Sequence, residues 1–222
     1  MNLINPPPTV AEELHAQIRR DIIFGRLAPA AKLKLDGLRS RYGASVSTLR
    51  ETLNRLAAEG FVLAEGQRGF EVAPISGANL QEIATLRCLL ECHALELSFA
   101  AGSIDWEAGV VAAHHKLAQL ERRMAEGERA VIEEWKRYDW EFHRALIAAC
   151  GSPELVAVHG SVFDKYLRYQ MLCLTHRGET AAREHRELLQ AALDRDAVRA
   201  RKILTAHISG GVEHCLSATD LA

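Results

Sequence analysis

Asp139 and His143 stand four residues apart, and His185 and His207 follow, 22 residues apart. Helical spacing projects the first two from one face of a shared helix. The second two lie on either side of Asp194-Arg195-Asp196, each about eleven residues from it, so a turn there brings them level across a hairpin. One carboxylate and three imidazoles form a donor set for a divalent transition metal with coordination positions left open. Histidines on helical faces also serve as packed or surface residues, and ten in one chain give chance pairs. Arg87 carries a second possibility. It sits in the apolar stretch Leu86-Arg87-Cys88-Leu89-Leu90-Glu91, where a guanidinium needs a partner. That partner is either the carboxylate of a ligand, clamped bidentately, or Glu91 one turn away, a pair worth about a few tenths of a kcal/mol on an exposed helix.

The same metal set would allow hydrolysis by an activated water, or metal sensing alone. Against hydrolysis, the chain has no HExxH and no clear nucleophile–base pair. Glu184 adjoins His185 in sequence, but helical neighbours point about 100° apart.

The elements that must hold these residues read as helices from Ser76 onward. The expected segments are 78–101, 106–126, 129–149, 153–174, 180–193 and 196–216, separated by glycine- and proline-containing breaks. Ser76 is placed to cap the first, and its apolar stripe is Leu80, Ile83, Leu86, Leu90 and Leu97. About six helices with short connections make an antiparallel bundle. His114 and His115 fall on a solvated face; His93, His159 and His176 show no partner set. Tyr138, Tyr166, Arg168 and Tyr169 are read as packing.

The first third of the chain reads differently. Thr9 caps a helix with Leu14, Ile18 and Ile22 inward, and a short helix over 36–42 stops at Gly43. Ser45 or Ser47 caps a third, with Leu49, Leu53 and Leu56 inward and Gly60 at its end. Strands at 61–64 and 70–73 flank a turn at 65–69. Helix, turn, helix and wing is an order that puts a helix end into the DNA major groove. Ser45, Ser47 and Thr48 on the first turn of the third helix suit phosphate. Arg50 has the reach for a guanine edge or a phosphate. Arg39, Arg41, Arg68 and Gly69 suit backbone contacts. The expected division is a winged helix-turn-helix domain over 1–75 and a helical domain over 76–222, a mainly α chain.

Charge supports a local rather than global DNA affinity. The whole chain is formally −2, yet residues 32–55 hold six Lys or Arg against two Asp or Glu. Such a basic face on a near-neutral body fits nucleic acid. Five cysteines, an odd number without a CxxC, and the lack of a signal sequence or membrane-length apolar run predict a soluble cytoplasmic protein with reduced thiols.

Residues 44–62, Ala-Ser-Val-Ser-Thr-Leu-Arg-Glu-Thr-Leu-Asn-Arg-Leu-Ala-Ala-Glu-Gly-Phe-Val, resemble the recognition segment of GntR-family transcriptional regulators, typically VSRTPVREALRRLEAEGLV. Val46 replaces the usual Arg and Thr48 the usual Pro, so operator sequence does not carry over from relatives. Residues 139–146, 151–155, 184–189 and 206–208 resemble motifs of the FCD type of ligand-binding domain in the FadR-like branch. The resemblance spans about residues 10–215. It implies that Asp139, His143, His185 and His207 bind a metal, zinc or nickel, that helps hold an organic acid, and that Arg87 faces that acid. The expected protein is a homodimeric repressor of a double-stranded DNA operator, controlled by a small carboxylate.

Overall fold

The computed structural model describes residues 9–64, 69–173 and 177–218. Internal contacts divide the chain into two compact units, Met1–Ser76 and Gly77–Ala222.

The first unit is built on three short helices. In α1 (Val10–Ile23), the Thr9 hydroxyl accepts from the Glu12 amide while the Glu12 carboxylate accepts from the Thr9 amide. This reciprocal cap satisfies two amide donors that a helix end leaves open. Strand β1 (Lys32–Leu33) leads into α2 (Leu35–Tyr42), which ends at Gly43 in the left-handed region, φ 66°. Ser45 then caps α3 (Val46–Ala58), its Oγ accepting from the Thr48 amide at 3.2 Å. Strands β2 (Val62–Ala64) and β3 (Phe70–Val72) pair antiparallel, with Val62 opposite Val72 and Ala64 opposite Phe70. β1 pairs on the other edge of β3, giving the order β1-β3-β2. This third strand has only two residues, too few for an alternating pattern to show in sequence.

Leu14, Ile18, Ile22, Leu49, Leu53, Leu56 and Phe61 fill the core of this unit. Asp21, itself buried, accepts hydrogen bonds from Arg41 and Tyr42 at 2.7 Å each and from Arg26 at 3.2 Å. These bonds tie α2 back onto α1.

The second unit contains six helices among the described residues: α4 (Gly77–Ala101), α5 (Ile104–Ala125), α6 (Ile132–Leu146), α7 (Pro153–Leu172), α8 (Glu179–Leu193) and α9 (Ala197–Ala218). A 3-10 turn, Arg129–Val131, precedes α6. Ser103 and Ser152 cap α5 and α7, and Pro153 opens α7 where its missing amide hydrogen costs nothing. α4 packs on α7 and α9, α5 packs on α6 and α8, and α8 and α9 form a hairpin.

Several expectations need correction. Leu86 and Leu97 are not on the buried stripe of α4; they are exposed, as is Leu89. The inward positions are Leu80, Ala84, Arg87, Glu91, Leu95 and Phe99. A run of leucines around the helix hides the polar pair among the buried positions. His114 is buried edge-on against Phe142 rather than solvated. Cys173 and Cys215 are joined in a disulfide between the end of α7 and α9, against the expectation of reduced thiols; 42 residues of sequence conceal a Cα separation of 5.5 Å.

Arg87 and Glu91 are the most consequential of these. Arg87 Nε donates to Glu91 Oε2 at 2.8 Å, with the two side chains 1% and 0% exposed. The guanidinium also lies over Phe163 and Tyr166, 4.3 and 4.7 Å from their ring centres. Glu91 further accepts from His159 Nε2 at 2.9 Å and His143 Nδ1 at 2.5 Å. His159 thus has the partner its sequence context does not reveal. Burial favours the neutral acid, but Arg87, His143 and His159 hold the Glu91 carboxyl well below the usual carboxylate range. The pair is therefore not the weak surface interaction that its spacing suggests.

Removing one member of a buried pair strands the other, at about 3–5 kcal/mol. Glu91→Gln should lower the unfolding free energy of the protein by that order in urea titrations. A depressed carboxyl contributes stability that is full above its unfolded value of 4.5 and is lost as pH falls toward its folded value. The acid limb of the stability curve should accordingly be flatter in Glu91→Gln than in wild type. In the first unit, Leu53→Ala empties a fully buried site and should cost about 2–5 kcal/mol by the same measurement.

Candidate metal centre and DNA-binding surface

α6 delivers Asp139 and His143 from one face, and α8 and α9 bring His185 and His207 against them. All four side chains are buried, and one ligand atom from each lies within 4.8 Å of the others. Asp139 Oδ1 is 3.3 Å from His185 Nε2 and 3.9 Å from His143 Nε2. The imidazole centroids of His185 and His207 are 4.8 Å apart, and those of His143 and His207 5.3 Å.

Whether these residues fit a metal is decided by their nitrogens. His143 Nε2 and His185 Nε2 are buried and lack a well-formed hydrogen bond. Two ring nitrogens facing one carboxylate oxygen form a seat for a cation, either a proton on His185 or a metal ion bridging the rings. The opposite nitrogens are all engaged. His143 Nδ1 meets Glu91, His185 Nδ1 meets Glu121 at 2.6 Å, and His207 Nδ1 meets Glu184 at 2.7 Å. Ligands about 2.1 Å from one ion lie at most about 4.2 Å apart, so the cluster needs little contraction. The residues fit.

Sequence reasoning does not identify this outer ring. In the sequence Glu91 stands out only as a helical partner for Arg87. Glu121 lies on α5, 64 residues from its histidine. Glu184 invites comparison with its neighbour His185, whereas it serves His207 on the next helix. No pattern within one helix discloses pairings that depend on how helices are packed.

The local electrostatics divide the histidines. Burial opposes charge on His185, but Asp139 and Glu121 outweigh it and push the imidazole up to about 9. Burial pushes His207 down to about 3, with the other two histidines adding to the effect. Burial alone would raise Glu184, yet hydrogen bonds from His207 and Arg177 hold it down to about 2.

A polar cavity of about 20 Å³ adjoins the cluster, and Asp139, His185, His207, Lys136, Gln170 and Arg177 are among its lining residues. Lys136 is 3% exposed; its Nζ lies 2.8 Å from Gln170 Oε1 and 3.4 Å from Asp139 Oδ2. Arg177 bonds Glu184 and the His207 carbonyl. A Cβ at Gly210 or Gly211 of α9 would collide with Arg177 or Tyr166, so these glycines let both side chains approach the site. Arg87, expected to face an acid, does not line this cavity; it is held by Glu91 behind His143.

On the other unit, the hydroxyls of Ser45, Ser47 and Thr48 cluster at the N-terminus of α3, Ser45 Oγ lying 2.8 Å from Ser47 Oγ and 2.9 Å from Thr48 Oγ1. Val46, Arg50 and Asn54 are exposed on the same helix, and Arg39 is exposed on α2. Arg41 is exposed too, but one of its donors is committed to Asp21. Gly69 has φ 102°, a conformation that favours glycine at the start of β3. Arg68 lies outside the described residues.

No described helix is long and apolar enough to cross a membrane. The chain matches the family "Bacterial regulatory proteins, gntR family" over residues 10–72 and the FCD domain over residues 82–210. It is 34% identical over 206 residues to the HTH-type transcriptional regulator BphR of Paraburkholderia xenovorans, covering 92% of this chain and 84% of the relative. It is also 34% identical over 197 residues to the HTH-type transcriptional repressor GlaR of Escherichia coli K12, covering 86% and 89%. Among solved structures, E. coli McbR/YncC superposes with a TM-score of 0.79 at 19% identity, covering 95% of this chain and 98% of that one. The family consists of transcriptional regulators, which sets the hydrolase alternative aside. The chain belongs to the GntR family of DNA-binding transcriptional regulators and carries an FCD domain.

Proposed function

We propose that the protein is a repressor whose hold on a DNA operator is set by a divalent transition metal, zinc or nickel, and by a small carboxylate bound beside it. Asp139, His143, His185 and His207 hold the metal. The observation that supports the acid is the lining of the adjoining cavity, which brings the basic side chains of Lys136 and Arg177, paired here with Asp139 and Glu184, together with three of the metal-site residues. Bound metal supplies a Lewis-acidic point for a carboxylate oxygen. Lys136, Gln170 and Arg177 then take the role that sequence assigned to Arg87, while Arg87 keeps Glu91 ionised behind His143. The name of GlaR as a repressor supports repression in this chain.

At about 20 Å³ the cavity holds roughly one water. An acid must therefore spread α6, α7, α8 and α9 to enter, so the bundle it prefers differs from the one seen here. The shift is limited by the acid's differential affinity for the two arrangements.

DNA recognition rests on the N-terminus of α3. Its free amides and the hydroxyls of Ser45, Ser47 and Thr48 favour phosphate, and Arg50 reaches from the exposed face. Arg39, Arg41, Gly69 and Arg68 add backbone contacts. A cytoplasmic homodimer would present two such helices to half-sites related by its two-fold axis.

Two outcomes follow. Arg50→Ala should weaken binding to a duplex selected from a random library by about tenfold at moderate salt, measured by fluorescence anisotropy, with metal uptake unchanged. Wild-type affinity for that duplex would remove Arg50 from the interface. Zinc at about 100 times its Kd should stabilise the protein by about 2.7 kcal/mol in thermal or urea unfolding; a screen of mono- and dicarboxylates on the zinc-loaded protein should then raise the melting temperature further and change operator affinity. Acids that act equally after chelation, or none that act at all, would contradict the joint metal–carboxylate reading.

A further inference from the structure

We infer that Glu121, Glu184 and Glu91 are positioning residues for the metal: each fixes one histidine as its Nδ1–H tautomer and so aims the Nε2 lone pair at a common centre. This rests on reading Asp139, His143, His185 and His207 as a metal site, and it extends that site to three carboxylates that touch the rings and not the ion.

A neutral imidazole has one donor and one acceptor nitrogen. A carboxylate can only accept, so a ring nitrogen 2.5–2.7 Å from one carries the proton. In the neutral rings that metal binding requires, the acceptor is then Nε2 in all three; on His185 the metal would displace a proton that Asp139 and Glu121 hold there. For His143 that atom has no hydrogen-bond partner, and for His185 it faces Asp139 Oδ1 at 3.3 Å, a carboxylate that can accept but not donate. Arg87 and Arg177 also approach His143 Nδ1 and His207 Nδ1, at 3.2 and 3.1 Å. A protonated nitrogen cannot accept from them, and both guanidiniums instead bond the same glutamates, Glu91 and Glu184.

The arrangement is repeated from separate parts of the fold. Glu91 comes from α4, Glu121 from α5 and Glu184 from α8, while the rings they hold come from α6, α8 and α9. Burying a carboxylate costs about several kcal/mol unless it is well paired. Three buried or half-buried carboxylates, each committed to the outward nitrogen of one ring of a single cluster, is an organisation that packing alone does not require. Carboxylate partners also raise the basicity of the opposite nitrogen and hold the ring plane, and loss of such partners lowers metal affinity by about 10- to 100-fold.

The glutamates differ in what else they hold. Glu91 is shared with Arg87 and His159, and Glu184 with Arg177. Glu121 has the fewest structural duties of the three in its hydrogen bonding to His185, so it gives the cleanest variant. The substitution Glu121→Gln keeps an acceptor oxygen but loses the charge; Glu121→Leu removes both.

The experiment is zinc titration of the metal-free full-length protein by competition with a chromogenic chelator, for wild type, Glu121→Gln, Glu121→Leu and Glu184→Gln. In parallel, nitrogen-15 spectra of the histidine rings report the tautomer, a signature that a merely structural role for Glu121 would not move. The expected result is a Kd about tenfold higher for the two Gln variants and about 100-fold higher for Glu121→Leu, with the His185 ring in Glu121→Leu no longer held as Nδ1–H. Wild-type zinc affinity in Glu121→Leu, or an unchanged His185 ring signature, overturns the positioning role. If wild type takes up no zinc, the metal reading itself falls and this inference with it, an outcome distinct from equal binding by wild type and variants.

Discussion

Charge buried in the middle of a helical bundle must find an opposite charge or a reason to be there, and the second unit is organised by that requirement. Arg87, Glu91, Lys136, Asp139 and the three clustered histidines are all buried. Arg87 satisfies one edge of Glu91, and His143 and His159 satisfy the rest. The chain of contacts then runs from Glu91 through His143 to Asp139 and His185, and on to Glu121 at the far side. Along this chain a carboxylate meets the outward Nδ1 of each ring, and the Nε2 atoms of His143 and His185 face the Asp139 carboxylate. The apolar packing of α4 against α7 and α9, and of α5 against α6 and α8, sets the distances. The nitrogens facing Asp139 give those distances a chemical meaning.

The first unit answers to a different constraint. A helix end exposes amide donors that want an acceptor, and α3 offers its end with a hydroxyl cluster already in place. Ser45 uses its own oxygen to accept from the Thr48 amide, which fixes where the other hydroxyls stand. Asp21 anchors Arg41 and Tyr42 of α2 onto α1, so the segment leading into α3 is braced by part-buried hydrogen bonds. The three-stranded sheet is short, and its register brings Phe70 and Val72 into the core. Rigid support and a polar helix end together suit a surface that reads a phosphate backbone and a few base edges.

Much of this is visible in the residues. Hydrophobic spacing discloses the helices of both units, and the i, i+4 relation of Asp139 and His143 survives as geometry because one helix enforces it. His185 and His207 are brought level by a turn whose residues are in the sequence. Pairing across helices is another matter. Glu121 with His185, Glu184 with His207 and His159 with Glu91 depend on which faces meet, and no local pattern encodes that. The stripe of α4 is misplaced in sequence for a related reason. Leucine at 86, 89, 90 and 97 outweighs a buried Arg and Glu in any reading by hydrophobicity, although the polar pair is what the core contains. Cys173 and Cys215 escape notice because a disulfide depends on Cα proximity, which spacing along the chain does not supply.

On the proposed function, three imidazoles and one carboxylate presented by α6, α8 and α9 bind a single transition-metal ion. X-ray absorption at the metal edge of zinc- or nickel-loaded protein tests it most directly. A first shell of nitrogen and oxygen at about 2.0–2.1 Å, with multiple-scattering features of three imidazoles, is expected. A shell containing sulfur at about 2.3 Å, or one with fewer than three imidazoles, would contradict it.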